Sequence, residues 1–571
     1  MTITRHVATV TTLDGATRQV HYRRAGSGPP VILLHMSPRS SAELEPLMLA
    51  WADTFTLIAP DTPGYGASDP LPEKEDGALF DLTDFTDALM AFADTLGLER
   101  FGLYGHHTGA MIAAECARRH PDRLTLTVAN GYLVVTEEER EEILANYFSD
   151  YTPETDGRHL AHVWQRIRDQ FLFFPWSVNT KVARSVMRDK FAIPAPEILQ
   201  DDVLDLLRTG THESDGYGAA FRCDGIDILR GVTGPCLVTA QVHDLLYEDL
   251  DRLPSDLPNT VRIQRFDDLD ALNDAAKTLL LDHAKDDTPP LTATGTIAGR
   301  AWASYADTKT GQLYMRRGHA GSGVPVVLIH NLGSSCQRWQ PVMSTLMGKR
   351  PFVAFDLPGH GETGTAWGDG PVTIDACAKA IDEALDSLGI ESAHVFAYGG
   401  GGLVALNLIE RTAADIRSLT AVDFWLFDDA DKEKLKDRFA PALTPLPYGQ
   451  HMAEAWYMVR DSELFWPWFE TTPDNAVAQP PETDPARLHS RVVDVLKASP
   501  AYQQVVQDAL SLDSETALKQ ITIPAIFGPR DGSPYTSRCE RAASLAPNGK
   551  SLTLSNDHSR RAAAVVALIK D

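Results

Sequence analysis

The sequence of 571 residues lacks most of the features that mark a specialised class of protein. Its six cysteines form no CxxC pair and show no metal-ligand spacing, which indicates incidental thiols in a reducing compartment. No window approaches the roughly 18 apolar residues of a membrane span, and MTITRHVATVTT at the N-terminus has no apolar signal core. Positive charge is scarce, with 52 Lys and Arg against 78 Asp and Glu and a net charge of −26. We therefore expect a cytoplasmic protein that binds a small molecule, with no nucleic acid and no membrane as partner.

An internal repeat spans nearly the whole chain. QVHYRRAGSGPPVILLH, which ends at His35, returns as QLYMRRGHAGSGVPVVLIH, which ends at His330. APDTPGYGASD around Asp61 likewise returns as AFDLPGHGETG around Asp356. A period of this length predicts two tandem domains, residues 1–288 and 289–571, rather than a solenoid. Fusion of two copies predicts an intramolecular pseudo-dimer, and whether that dimerises again stays open.

Each repeat alternates short apolar runs with longer amphipathic stretches. PVILLH, FTLIAPD, RFGLYGH, LTLTVANG and PCLVTAQ are typical of buried parallel strands, and DLTDFTDALMAFADTLGL between them is typical of a helix. The pattern predicts an α/β fold in which a mostly parallel sheet is flanked by helices. Residues of about 135–232 and 425–520 break the alternation and predict inserted helical caps.

Both repeats resemble the α/β-hydrolase family. The resemblance rests on VILLH with its following loop, APDTPGYGASD and GHHTG in the first repeat, and on VVLIHNLGSS, AFDLPGHGETG and AYGGGGLVAL in the second. In the family, the G-x-nucleophile-x-G elbow lifts a serine above the sheet. Here His107 and Gly399 stand at that position, so the resemblance implies the fold without its usual serine nucleophile.

The second repeat keeps candidates for the other two triad members. By resemblance, IPAIFGPRDGSP places Asp531 at the position of the orienting acid, and LTLSNDHSRR places His558 at that of the catalytic histidine. A histidine and aspartate without a serine predict a general base that acts on a substrate proton or on water. Main-chain N–H groups near Asn331, Gly399 and Gly400 would stabilise the oxyanion.

The first repeat offers the histidines of GHHTG instead. Its acid position holds Asp244, but its histidine position holds Leu269. His107 is therefore interpreted as a nucleophile, a pocket histidine or a structural filler, and His35 and His106 as substrate contacts nearby. Metal binding by His35, His106 and His107 is the other alternative, but no carboxylate spacing supports it, and we predict no metal and no cofactor.

The two caps share a set of polar and aromatic residues. GRHLAHVWQRIRDQFLFFPW carries His159 and Arg168, and GQHMAEAWYMVRDSELFWPW carries His451 and Arg460 at the corresponding positions. Helical spacing favours one face for these side chains, from which they would contact an anionic or aromatic substrate.

Together these features predict an enzyme that acts on a small organic substrate, aromatic or carbonyl-bearing. Its mechanism would be His/Asp general-base chemistry, either hydrolysis or C–C bond cleavage, as in the cofactor-independent oxygenases and C–C-cleaving members of the superfamily that it resembles. The alternative is an inactive homologue that binds a small molecule or serves as a scaffold. The second repeat is favoured as the active one, and the opposite assignment to His107 stays open.

Overall fold

The computed structural model describes residues 2–12, 15–75, 77–148, 151–177, 185–186, 192–284, 289–290, 295–364 and 370–569. Two compact units are present: the first is Met1–Tyr151 with His162–Thr296, and the second is Thr152–Ala161 with Ile297–Asp571. The predicted division at 288/289 lies close to this seam. The short segment Thr152–Ala161, however, belongs to the second unit although it comes from the first repeat.

The first unit is built on an eight-stranded sheet of order β1-β2-β4-β3-β5-β6-β9-β10. Its strands are β1 Thr4–Thr11, β2 Thr17–Ala25, β3 Pro30–Leu34, β4 Thr56–Pro60, β5 Phe101–His106, β6 Leu124–Asn130, β9 Cys236–Gln241 and β10 Val261–Phe266. Pairing is parallel from β4 through β10 and antiparallel only at β1-β2 and β2-β4. The five apolar runs picked out in the sequence are β3, β4, β5, β6 and β9, which confirms the predicted parallel sheet.

Helices cover the first sheet and fill the segment between β6 and β9. They are α1 Glu45–Trp51, α2 Leu82–Thr95, α3 Thr108–Arg119, α4 Glu137–Asn146, α5 Arg158–Asp169, α6 Pro196–Thr209, α7 Glu213–Arg222, α8 Gly225–Arg230 and α9 Leu269–Asp282. The cap segment also holds two short paired strands, β7 Phe173–Phe174 and β8 Ser185–Val186. Part of the predicted cap, residues 178–184 and 187–191, lies outside the described residues.

The second unit repeats this architecture strand for strand, in the order β11-β12-β14-β13-β15-β16-β17-β18. Its strands are β11 Trp302–Asp307, β12 Gln312–Gly318, β13 Val326–Ile329, β14 Phe352–Phe355, β15 Ser392–Tyr398, β16 Asp415–Val422, β17 Ala525–Gly528 and β18 Gly549–Ser551. Its helices are α10 Gln340–Leu346, α11 Ile374–Ser387, α12 Gly401–Arg411, α13 Asp429–Leu435, α14 Gln450–Asp461, α15 Pro485–Ala498, α16 Ala501–Ser511, α17 Ser514–Gln520, α18 Thr536–Leu545 and α19 His558–Ala567. The predicted duplicated fold is thus confirmed.

The sheets form because their central strands are apolar along both faces. All residues of β3 and β4 are buried, as are all residues of β13 and β14. Such strands need helices on both sides, which the amphipathic α2 and α11 help to supply. Each of these helices begins with a side-chain cap. The Asp81 carboxylate accepts from the Thr83 N–H, and the Thr373 hydroxyl oxygen accepts from the Ala376 N–H. In the described part of the chain, every helix is too short or too polar to span a bilayer.

Candidate active site

His107 occupies a strained turn between β5 and α3. Its φ of 48° and ψ of −108° lie in a region that non-glycine residues rarely adopt. The His107 N–H donates to the Asn130 carbonyl, and the His107 carbonyl accepts from the Ala110 and Met111 N–H groups at the start of α3. The turn therefore holds the side chain above the carboxyl edge of the sheet, as an elbow does for a serine.

Asp244 follows β9 and binds the imidazole of His107. His107 Nε2 lies 3.1 Å from Oδ2 and 3.2 Å from Oδ1 of Asp244. Gly131 makes room for this pair: a Cβ on Gly131 would lie 2.2 Å from His107 Cδ2. Burial alone would raise the pKa of Asp244, but the charge and hydrogen bond of His107 lower it to about 2. Asp244 is thus a carboxylate placed to accept a hydrogen bond from the imidazole of His107.

A second histidine and carboxylate pair lies beside the first. His106 Nδ1 is 2.5 Å from Glu43 Oε1, and the rings of His106 and His107 are 4.2 Å apart. Although burial opposes both charges, the interaction with Glu43 raises the pKa of His106. In return, the charge and hydrogen bond of His106 lower the pKa of Glu43 to about 2 against its own desolvation.

These four side chains line one end of a cavity of about 590 Å³ in the first unit. The remaining walls are largely apolar and come from the sheet edge and the cap. They include Met111, Leu133, Tyr147, Phe171, Phe174, Tyr217, Phe221 and Leu246. Leu269, at the position of the missing triad histidine, also lines the cavity. A cavity of this size and character suits a small organic ligand with one polar end.

The structure places His35 off the cavity wall, so it is neither the predicted substrate contact nor part of the alternative metal set. His35, one of the proposed ligands, is buried and fully used: its Nδ1 donates to the Met36 carbonyl and its Nε2 accepts from the Thr62 N–H. Asp244 takes its place, because ligand atoms of His106, His107 and Asp244 all lie within 4.8 Å of one another. The carboxylate that the sequence spacing did not reveal comes from the loop after β9, more than a hundred residues later.

Of the two main-chain N–H groups of the first unit that could stabilise an oxyanion, one already has an acceptor. The Met36 N–H, at the loop where the family forms half of its oxyanion hole, donates to Glu43 Oε2 at 3.0 Å. The Thr108 N–H follows the elbow at the first residue of α3, and no acceptor for it is found among the described residues. One open donor therefore remains beside His107.

The elbow of the second unit holds a glycine at the nucleophile position, and the N–H that follows it is occupied. Gly399 has a φ of 53° and lines a cavity, but a Cβ there would lie 2.2 Å from Asn331 Oδ1. The Gly400 N–H donates to the same Asn331 oxygen at 2.9 Å. The amide of Asn331 thus occupies the place predicted for a substrate oxyanion, which corrects the roles expected for Asn331, Gly399 and Gly400.

Asp531 does not stand at the acid position. In the first unit, the N–H of Asp244 donates to the Gln241 carbonyl. In the second unit, the corresponding hydrogen bond is donated by the Ser533 N–H to the Arg530 carbonyl. The N–H of Asp531 donates to the Leu554 carbonyl. This bond corresponds to the one from the Val242 N–H to the Phe266 carbonyl in the first unit. Ser533 is therefore the counterpart of Asp244, and Asp531 is an exposed residue two positions earlier.

His558 lines the cavity of the second unit, but without an acid to orient it. Its Nδ1 accepts from Arg561 Nη2 at 3.1 Å, and its Nε2 is 3.9 Å from Glu482 Oε2. No hydrogen bond joins His558 to Asp531 within the described ranges. Desolvation, followed by the charges of Arg561, Arg338 and Arg487, lowers the pKa of His558 to about 4. The predicted pair of His558 and Asp531 is therefore not formed.

Asp423 is a buried acid on the wall of the second cavity, and it has a positive φ of 48° where the first unit has Gly131. Its carboxylate accepts from Arg530 Nε at 2.5 Å, from Ser533 Oγ at 2.8 Å and from the Tyr398 hydroxyl at 3.1 Å. Asp423 is thus paired with Arg530, and among the described residues no hydrogen bond joins it to His558.

The cap histidines are structural in both repeats. His159 is buried within the second unit, where its Nε2 is 3.1 Å from His489 Nδ1 and its ring meets Trp456 edge-on. His451 is buried as well, and its Nδ1 accepts from the Leu446 N–H at 3.1 Å. Neither lines a described cavity, so the predicted substrate contacts are not seen.

The cap arginines predicted to bind substrate also lie elsewhere. Arg460 pairs with the adjacent Asp461 and stacks on Tyr457, and Arg168 is half-buried away from the cavity wall. The buried cap arginine is Arg166, which is paired with Glu213 and adjoins Tyr147.

Sequence reasoning missed Glu43 and Arg338, which stand at the same place in the two repeats. The aligned segments HMSPRSSAELEP and HNLGSSCQRWQP, offset by the same 295 residues as His35 and His330, contain this charge reversal. Nothing in the alignment shows that both side chains face a cavity, and only the fold provides that information.

Comparison with known proteins agrees with this architecture. The α/β-hydrolase fold family matches residues 29–171 and 324–506, more than half of the chain. A 2-(acetamidomethylene)succinate hydrolase of Mesorhizobium japonicum is 33% identical over 125 residues, 22% of this chain and 43% of that protein. Haloalkane dehalogenase 2 of Mycobacterium tuberculosis is 31% identical over 111 residues, 19% of this chain and 37% of that protein. Each match thus spans less than half of the curated relative.

Among solved structures, an enol-lactonase from Burkholderia xenovorans is 18% identical and covers 48% of this chain and 98% of its own, with a TM-score of 0.35. An E-2-(acetamidomethylene)succinate hydrolase is 21% identical and covers 45% of this chain and 90% of its own, with a TM-score of 0.30. With both repeats matched by the family and both sheets in the same strand order, the chain belongs to the α/β-hydrolase fold family.

Proposed function

We propose that the chain is a hydrolase of small organic substrates whose first unit uses His107 as a general base, without a serine nucleophile. The observation that carries the proposal is the His107–Asp244 pair at the mouth of the elbow, on the wall of a cavity of about 590 Å³. The family and its hydrolase relatives supply the reaction class. Among the described residues of the second unit, no hydrogen-bonded pair of histidine and carboxylate lines the cavity in the same way.

The proposed step is activation of water. With Nε2–H donating to Asp244, the Nδ1 lone pair of His107 takes a proton from water. The resulting hydroxide attacks a carbonyl carbon, and the Thr108 N–H donates to the oxygen on which negative charge develops. The carboxylate of Asp244 stabilises the imidazolium until the proton passes to the leaving group. A lyase reaction would use the same base on a substrate proton.

A covalent route through His107 is less well supported. An acyl-imidazole would need a second base to activate water for its hydrolysis, and the position that provides that base in the family holds Leu269. His106 is already committed to Glu43. General-base catalysis requires only the groups that are present.

Turnover of small esters, lactones and aromatic β-dicarbonyls by the full chain tests the proposal. We expect His107→Gln to lower kcat by about 10²- to 10⁴-fold, the usual contribution of a general base. His243→Gln is the matched control, because His243 is an exposed histidine in the same loop as Asp244 and does not line the cavity. Equal activity of the two variants would contradict the proposal.

A metal-assisted form of the same reaction is favoured by one observation, the spacing of His106, His107 and Asp244. A metal held there would lower the pKa of its bound water and supply the hydroxide. Chelator treatment separates the two mechanisms: the general base predicts unchanged turnover, whereas loss of turnover that Zn²⁺ restores would assign the step to a metal.

A further inference from the structure

We propose that the cavity of the second unit is a binding site for a small aromatic carboxylate, with Arg338 as the residue that binds its carboxylate group. This cavity, of about 190 Å³, lies at the carboxyl edge of the second sheet beside Gly399. The proposal is independent of the chemistry assigned to the first unit.

The cavity carries an excess of positive charge in a chain whose net charge is −26. Four arginines line it, Arg338, Arg491, Arg530 and Arg561, against two carboxylates, Asp423 and Glu463. Both carboxylates are already paired: Arg530 Nε is 2.5 Å from Asp423, and Arg491 Nη1 is 2.6 Å from Glu463. The guanidinium charges of Arg338 and Arg561 therefore face the cavity with no carboxylate paired to them among the described residues.

Arg338 is the cation that is left for a ligand. Its side chain is accessible on the cavity wall, and no described residue accepts a hydrogen bond from its guanidinium. An arginine guanidinium keeps its positive charge at neutral pH. A planar guanidinium in such a place matches the two oxygens of a carboxylate.

Arg561 and His558 supply the second donor pair. Arg561 donates to the Ser555 and Asn556 carbonyls and to His558 Nδ1, which are neutral acceptors that leave its charge uncancelled. Because His558 Nδ1 accepts, its proton lies on Nε2 and can be donated to an anion. The residue at the family's catalytic position thus serves here as a hydrogen-bond donor.

Aromatic side chains select the rest of the ligand. The cavity wall includes Trp339, Trp425, Phe439, Trp466, Tyr502 and Tyr535. These aromatic side chains favour a ligand with an aromatic ring. Inorganic phosphate would occupy only the charged end of the cavity. The amide of Asn331 keeps the elbow N–H of Gly400 occupied, so a bound carboxylate meets no machinery for acyl transfer.

Calorimetric titration of the full chain with benzoate tests the site. We expect saturable binding that weakens as salt is raised, and a loss of about tenfold or more in affinity for Arg338→Gln. The matched control is Arg417→Gln, because Arg417 is an exposed arginine of the same unit, paired with Asp415 on the surface. His107→Gln in the first unit is expected to leave the affinity unchanged.

Two comparison ligands make the result decisive. Benzamide, which keeps the ring and lacks the charge, is expected to bind at least tenfold more weakly, and inorganic phosphate is expected not to compete. Equal binding of benzamide would overturn the role of the arginines. Effective competition by phosphate would overturn the aromatic carboxylate in favour of a general anion site, and no benzoate binding, or binding that Arg338→Gln leaves intact, would overturn the proposal.

Discussion

The two cavities stand at the same place in two copies of one fold and carry opposite chemistry. The first is lined by two imidazoles and three carboxylates, Glu43, Asp244 and Asp270, whereas the second is lined by four arginines and two carboxylates. The equivalent pairs are Glu43 and Arg338, His106 and Tyr398, His107 and Gly399, Asp244 and Ser533, and Leu269 and His558. The sheets, strand orders and elbow turns are shared, so a few loop residues decide what each unit does.

The two copies hold different members of the family's catalytic triad. The first copy keeps an acid after the β9 strand and lacks the late histidine, whereas the second keeps the late histidine and lacks that acid. In each copy the remaining member has a new partner: Asp244 binds His107, and His558 binds Arg561.

The largest expected effect comes from removing the acid of the first unit. Asp244→Asn keeps the shape of the side chain but no longer stabilises a protonated His107, so we expect kcat to fall by about 10²- to 10⁴-fold. Asp251→Asn, an exposed acid near the same loop that pairs with Arg265, is the control. Steady-state turnover measures kcat for both variants. A fall of the same size in the two would contradict a specific role for Asp244.

Gly131→Ala tests the geometry of the pair. The added Cβ would displace the His107 ring, and a shift of about 1 Å costs about 10²-fold in turnover. Gly97→Ala shares the backbone penalty, with a φ of 71° against 68° for Gly131, but its Cβ would meet no atom within 4 Å. Comparable melting temperatures with unequal turnover would support the account, and equal turnover would contradict it.

Glu43→Gln tests the charge reversal against Arg338. Loss of the charged partner of half-buried His106 is expected to destabilise the first unit by about 2 kcal/mol at pH 7. Glu45→Gln, two residues on and partly exposed beside Arg23, is expected to change it by about 0.5 kcal/mol or less. Denaturant unfolding measures the difference, and equal costs would mean that the His106 pair is not special.

The smallest expected effect is on acid stability. Because the pKa of Asp244 is lowered from 3.8 to about 2, its ionised form stabilises the folded chain above pH about 4. That stability is lost as the pH falls towards 2. The gap in melting temperature between the wild type and Asp244→Asn should therefore narrow between pH 5 and pH 3. A gap that widens as the pH falls would contradict a lowered pKa of Asp244.

The fold could be predicted from the sequence almost completely. Buried parallel strands are short, apolar on both faces and separated by amphipathic helices, and these patterns are local. The repeat supports the strand assignments, because the same apolar run appears in both copies. The segment Thr152–Ala161 was the exception, since its membership of the second unit depends on packing that no local pattern encodes.

The candidate sites could be predicted only in part. His107 and Gly399 follow from the elbow motif. The resemblance of IPAIFGPRDGSP to the family predicts Asp531 as the acid, whereas the backbone hydrogen bonds move the acid position to Ser533. The cap histidines looked functional because they are repeated, yet burial gives His159 and His451 protein partners. Charged groups that face a cavity from separate loops, such as Glu43 with His106, have no sequence spacing to recognise.

The most direct test of the contrast between the units is one turnover measurement on two variants of the full chain. With a substrate from the panel of esters, lactones and β-dicarbonyls, we predict that His107→Ala loses about 10²-fold or more of kcat/KM while His558→Ala keeps it. The opposite result, activity that depends on His558 and survives without His107, would place catalysis in the second unit and contradict the account.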